Sequence, residues 1–97
     1  MKKKTIIRVK HNKQNQQFEV LKDDYLAVLV YRIHENQLVL MHTKVPEALG
    51  GQGIGKKLAL VALQFGQQQG LEFKIYCPFV QHFVEKNPDW MGMEVGK

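Results

Sequence analysis

The sequence predicts an α+β fold, a mixed and mainly antiparallel sheet with elements in the order β-β-β-β-α-β-α. Three observations carry this. Four β-rich stretches separated by short polar turns fill residues 6–45. A glycine-rich loop then runs directly into apolar residues at helical spacing from Ile54. One more strand and a short proline-initiated helix follow. A strand–loop–helix–strand unit crosses over right-handedly and joins parallel strands, so the fifth strand should run parallel to the fourth.

Each element has its own signal. "IIRVK" at 6–10 reads as a short strand, and the polar "HNKQNQQ" after it as a turn. In "FEVL" at 18–21, Phe18 and Val20 alternate with Glu19, the pattern of a half-buried strand. "KDD" is the next turn, where Asp side chains bond their own backbone. "YLAVLVYRI" at 25–33 is apolar on both parities, so it is expected to be a central strand covered on both faces. "HENQ" closes a hairpin around Asn36, and "LVLMHTKV" at 38–45 returns until Pro46, which cannot donate to a ladder. Ile54, Leu58, Val61, Ala62 and Phe65 then mark one face of a four-turn helix. Gly66 should weaken its last turn, and Gly70 should stop it at C′. "EFKIYC" at 72–77 alternates as a fifth strand. Pro78 opens a helix with the apolar stripe Phe79, Val80, Phe83 and Val84, which Asn87-Pro88 ends. The last nine residues are expected to fray, with Trp90 as a lid on the core.

At 97 residues, with 44% apolar and 24% charged content, the chain is expected to form one domain over 1–97 with a modest core. The lone cysteine, Cys77, rules out an internal disulfide framework, and with scattered histidines it makes no metal pattern. No apolar stretch approaches the roughly 18 residues of a membrane span, and the basic start lacks the apolar core of a signal peptide. These features point to a reducing, cytoplasmic setting. The net charge of +5 favours anionic partners. Lys2, Lys3, Lys4, Arg8, Lys10 and Lys13 gather that charge at the start, where a solvated tail and edge strand accommodate it.

The loop "LGGQGIGKK" places Gly50, Gly51, Gly53 and Gly55 within six positions. Glycine costs conformational entropy, so such density needs a reason. Unpaired amides at a helix start carry partial positive charge, and glycines before them let backbone approach an anion closely. Lys56 and Lys57 oppose the helix dipole unless a polyanion sits there. The Walker phosphate loop is excluded because Lys57 stands where Ser or Thr is required, and the dinucleotide fingerprint because Leu58 stands where its third glycine belongs. Tight packing alone is the competing reason for the glycines.

These residues resemble motif A of the GNAT acetyltransferase superfamily, Gln/Arg-x-x-Gly-x-Gly/Ala at a strand-to-helix junction. "LVLMHTKVPEALGGQGIGKKLALVAL" followed by "YCPFVQHFVEKNP" is similar to a small GNAT-like family of about this length. The matching stretches cover about 38–88. Three positions depart from that family's pattern. Gly50 stands where Arg is usual, Lys44 where Glu is usual, and Phe79 where Tyr is usual. The resemblance implies acetyl-CoA in a splay between strands four and five. Val45 would offer backbone groups to the pantetheine arm. Gly51, Gln52, Gly53, Ile54 and Gly55 would surround the pyrophosphate, with Lys56 and Lys57 as nearby point charges.

Acetyl transfer to an amine needs a base, oxyanion donors and an acid for the leaving thiolate. His42, late in strand four, suits a general base, or is a strand histidine bonded to a neighbour. Cys77, just before a helix start, is a candidate nucleophile or proton donor, or a buried small hydrophobe. Tyr76 lies on the opposite parity from Cys77, and His82 falls outside the last helix's stripe and should be solvated. The chain has little from which to build an acceptor pocket, so the acceptor is large and bound across an open groove, or there is none. Three functions compete: an N-acetyltransferase with an unassigned amine acceptor, a non-catalytic acyl-CoA binding module, and a nucleic-acid binder. The last ranks lowest because aromatic and basic residues do not interleave.

Overall fold

A computed structural model describes residues 7–87. Five strands form one sheet in sequential order: β1 (Lys10–Asn12), β2 (Gln17–Lys22), β3 (Tyr25–His34), β4 (Gln37–Lys44) and β5 (Glu72–Ile75). The first four pair antiparallel, and β5 runs parallel to β4. Helix α1 (Ile54–Gln68) links β4 to β5, and α2 (Pro78–Lys86) follows β5. The α+β class and the element order therefore stand as expected. Pro88, Trp90 and the rest of the C-terminal segment lie outside the described residues.

The turns explain the tight meander. Asp23 and Asp24 both adopt positive φ, at 51° and 68°, which matches the twist of a two-residue hairpin. At the β3–β4 turn the positive φ falls on Glu35, at 58°, rather than on Asn36. Helix α1 ends as Gly70, at φ 70°, takes the left-handed conformation. Leu71 N–H donates to Gly66 C=O and Gly70 N–H to Gln67 C=O, the paired bonds of a Schellman stop.

Helix α1 packs across β2, β3, β4 and β5, and buries Leu58, Ala59, Ala62, Leu63 and Gly66 against Phe18, Ala27, Leu29, Leu38, Leu40 and Phe73. Gly66, besides its cost in helix propensity, is a close contact. A Cβ there would lie 2.5 Å from the Phe73 ring and 3.0 Å from Leu38. Val61 and Phe65 sit at the border of this stripe, only partly buried.

Three expectations change. The first strand is Lys10–Asn12, not 6–10. His11 sets its register by stacking on its cross-strand partner Phe18, with ring centroids 4.2 Å apart, and it shares a 2.5 Å hydrogen bond with the Tyr31 hydroxyl. Ile7 and Val9 pack on the core without joining the ladder. Second, β3 is not covered on both faces. Ala27, Leu29 and Tyr31 are buried under α1, whereas Leu26 and Arg32 are exposed on the other face. Third, β5 stops at Ile75 rather than Cys77. The amides of Tyr76 and Cys77 both donate to the single carbonyl of Leu40, which ends the parallel ladder.

Candidate functional site

That convergence on Leu40 shapes the site. β5 pairs only with Gln37–Leu40 of β4, so the last half of β4, from Met41 on, continues without a β5 partner. A register shift at Val30/Tyr31 sits opposite the same stretch, with Met41 as the extra residue. The two parallel strands therefore stop pairing after Leu40, within β4 and ahead of the glycine loop.

The loop is pinned at both ends. Pro46 starts a 3-10 turn over Glu47–Leu49, and Leu49 is buried. Ile54, the first residue of α1, is buried as well. Between these anchors Gly51 and Gly53 both adopt φ of 78°. That conformation costs an L side chain roughly 1–2 kcal/mol. Gly53 is the N-cap of α1 and brings no side-chain hydrogen bond. The first helical bond runs from Lys57 N–H to Gly53 C=O, so the amides of Ile54, Gly55 and Lys56 precede the ladder. The first turn holds no acidic residue. Gly55 has a different reason: a Cβ there would lie 2.8 Å from Cζ of Phe79 on α2.

These groups frame a cleft of about 390 Å³. Of the residues singled out from the sequence, Val45, Gly51, Gly53, Ile54, Gly55 and Lys56 line it, joined by Gly50 and Phe79. Gln52 and Lys57 do not. The Gln52 side chain turns to β2, where Lys22 Nζ donates to its Oε1 at 2.6 Å. Lys57 is exposed on the helix surface. Among the described residues, no carboxylate lines the cleft.

The two candidate chemical groups are not brought together. Cys77 is buried at 1% exposure, caps α2, and lies with Sγ 3.2 Å from Thr43 Oγ1. Thr43 pairs with buried Leu29, whereas His42 pairs with half-buried Val30 and is itself exposed. Strand alternation thus turns His42 to the open face of the sheet and Thr43 to the face holding Cys77. Tyr76 is exposed, with Lys74 Nζ 5.6 Å from its ring centroid. His82 is exposed and 4.0 Å from Glu85, and it borders a second cavity together with Lys56. Lys22 and Thr43 were absent from the sequence reading. Lys22 lies thirty residues from Gln52 and carried no local signal. Thr43 has the strand parity that could have revealed it.

Comparison with known proteins bears on this arrangement. A profile of the GCN5-related N-acetyl-transferase family matches residues 17–93. The chain belongs to that family. Protein NATD1 of mouse is 40% identical over 85 residues, which are 84% of this chain and 77% of the mouse protein. Protein NATD1 of zebrafish is 38% identical over 87 residues, 87% of this chain and 79% of that one. Among solved structures, a GCN5-like protein from Staphylococcus aureus determined by NMR superposes with a TM-score of 0.71 at 28% identity. The match covers 91% of this chain and 86% of the staphylococcal one. The GCN5-related fold is therefore present here, with five strands and two α-helices among the described residues. No helix among them is long and apolar enough to cross a membrane.

Proposed function

We propose that this GCN5-related chain binds acetyl-CoA in the cleft before α1 and transfers the acetyl group to an amine. The observation that carries the reading is the helix start itself. Two glycines at φ 78° lead into an uncapped set of amides, with Lys56 among them and no acidic residue in the first turn. Such a cradle fits a pyrophosphate, which needs N–H donors, close backbone approach and positive potential. Gly51, Gly53, Ile54 and Gly55 would hold the pyrophosphate, with Lys56 adding charge, whereas the side chains of Gln52 and Lys57, which lie outside the cleft, would not touch it. Val45, just beyond the half of β4 that has no β5 partner, would receive the pantetheine arm.

When bound, acetyl-CoA supplies an acetyl thioester open to attack by an amine. The residues of the chain then handle protons. His42, exposed on the open face, takes the proton released by the acceptor amine. Cys77 has no imidazole beside it to activate it, because His42 faces the other way, so attack by this thiol is not favoured. Its Sγ, beside Thr43 Oγ1, lies on the face opposite His42, so Cys77 would not act at the same reaction centre as that base. An open sheet face suits a large acceptor laid across it. The single thiol, Cys77, accords with a reducing cytoplasm. A second reading, binding without turnover, is favoured by the burial of Cys77 and its separation from His42.

Titration calorimetry with acetyl-CoA, with Gly53→Val as control, tests the reading, and intact mass follows the same sample. Binding that vanishes in Gly53→Val, together with CoA release on adding amines, is the expected result. Binding without turnover across a broad amine panel would favour the second reading. No heat and no thermal stabilisation at millimolar ligand would remove both.

A further inference from the structure

Among the described residues, the sheet has one covered face and one bare face. Both helices pack into the cluster that holds Ala27, Leu29 and Tyr31. The opposite strand parity forms the bare face, where the pairing register reads as rows across the sheet. Leu21 pairs with Leu26, and both are exposed, at 71% and 45%. Val28 and Val30 follow Leu26 along β3 and are half-buried. These aliphatic side chains make a ridge down the bare face, and a contiguous apolar strip of this kind marks an interaction surface.

Cations border the ridge at two levels. Lys44 stands opposite Val28. Arg32 and Lys74 stand on either side of Val39, which is only 8% exposed, as expected where long cationic stems lie over a neighbour. The two levels are four register steps apart, from Val28 to Arg32, or about 13 Å. Of the carboxylates on this face, Glu19 already accepts from the side chains of Asn12 and Gln17, and Glu72 lies at the far end, opposite Gln37. With Lys10 opposite Glu19, the strands present four cations, Lys10, Arg32, Lys44 and Lys74, against these two carboxylates.

We propose that the bare face docks an extended acidic polypeptide, with one carboxylate on Lys44, a second on the Arg32–Lys74 pair, and an apolar side chain between them over Val28 and Val30. Alternate residues of an extended chain fall on one side, so positions i and i+4 span about 13 Å with i+2 between them. A second copy of this chain fits poorly, because its own bare face carries the same excess of positive charge. Nucleic acid fits poorly, because bases stack on aromatic rings and the ridge is aliphatic. None of these residues lines the glycine-loop cleft, so docking needs no cofactor. His42 lies beside the ridge, opposite Val30, so a polypeptide held here passes the base of the proposed transfer.

The test follows amide shifts of the isotope-labelled full chain by NMR, without acetyl-CoA, while a capped peptide is added. The peptide carries Glu-Ser-Leu-Ser-Glu, and a control carries Gln in place of both Glu. Shifts should centre on Val28, Val30, Arg32, Val39 and Lys44, and the control should bind about tenfold more weakly. Lys44→Glu combined with Arg32→Glu should lose binding by a similar factor. Both residues are exposed, so the fold should persist, and unchanged amide signals from the helices check that. High salt should weaken binding as well. No shifts at millimolar peptide, equal binding of the control, or shifts confined to α1 and α2 would each overturn the inference. So would tighter binding of a single-stranded oligonucleotide to this face, which would assign it to nucleic acid. A concentration-dependent loss of these amide signals in the protein alone would assign the face to a second copy, and also overturn it. Failure here leaves the cofactor reading standing, and failure of that reading leaves this one.

Discussion

The ring of Phe79 lies over the backbone of Gly55, so close that a Cβ would stand 2.8 Å from Cζ. This contact ties the start of α1 to the first turn of α2 and makes Phe79 a wall of both cavities. Gly55→Ala should therefore act on the site more than on the fold. Alanine favours the helix by about 1 kcal/mol over glycine, and the exposed ring can swing aside. The melting temperature should stay within a few degrees, while acetyl-CoA affinity falls severalfold. Phe79→Ala, which removes the ring itself, should leave the fold intact and lower affinity as well. Calorimetry beside thermal unfolding separates the two effects.

Gly66 makes the opposite case. The atoms that its Cβ would meet belong to Phe73 and Leu38, which are 2% and 0% exposed and cannot move away. Overpacking of this kind costs about 1–3 kcal/mol, which outweighs the gain of about 1 kcal/mol in helix propensity. Gly66→Ala should lower the urea midpoint with an unchanged slope. An unchanged or higher midpoint would show that the α1–sheet contact has slack.

The loop glycines show how far the sequence could be read. Density at a strand-to-helix junction pointed to a naked backbone, and Gly51 and Gly53 do adopt conformations that side chains resist. Gly55 is glycine for another reason, a partner 24 residues away on α2, and no local pattern carries that. The same limit hid Lys22, whose role depends on β2 ending beside the loop. β3 was over-read because apolar residues on both parities announce burial on both faces, whereas α1 covers only Ala27, Leu29 and Tyr31. The first strand lies at Lys10–Asn12, where His11 stacks on its cross-strand partner Phe18, a contact that the residue pattern at 6–10 does not announce. Periodicity located the elements; contacts between elements decided edges and roles.

The bond from Lys22 to Gln52 supplies the loop with a cation from β2. Lys22 thus brings charge to a loop whose own stretch from Leu49 to Gly55 carries no charged side chain. Lys22→Ala and Gln52→Ala should each weaken acetyl-CoA binding severalfold and change stability by about 1 kcal/mol or less, as expected for a partly exposed hydrogen bond. The double variant should lose little more than either single one, because the two side chains act as a unit. Fully additive losses in affinity would mean that each contacts the ligand alone.

The burial of His11 in the fold gives stability a pH dependence with a definite sign. Burial, then the charge of Lys13, lowers the pKa of His11 below 6.5. The unfolded chain therefore binds a proton at higher pH than the folded chain does. Stability rises with pH where the unfolded state holds more protons, so it is full above about 6.5 and is lost as pH falls below that. Glu19, held below 4.5 by the amides of Gln17 and Asn12, loses its contribution only in more acid solution. The two windows are separate. Wild type should melt at a lower temperature at pH 5.5 than at pH 7.5, and in His11→Phe, which keeps a ring over Phe18, that difference should shrink. The measurement is thermal unfolding of both proteins at the two pH values at fixed ionic strength. An equal difference in both would move the acid sensitivity away from β1, and Tyr31→Phe, which removes the hydroxyl but not the imidazole, would then show whether the hydrogen bond stabilises the edge at all.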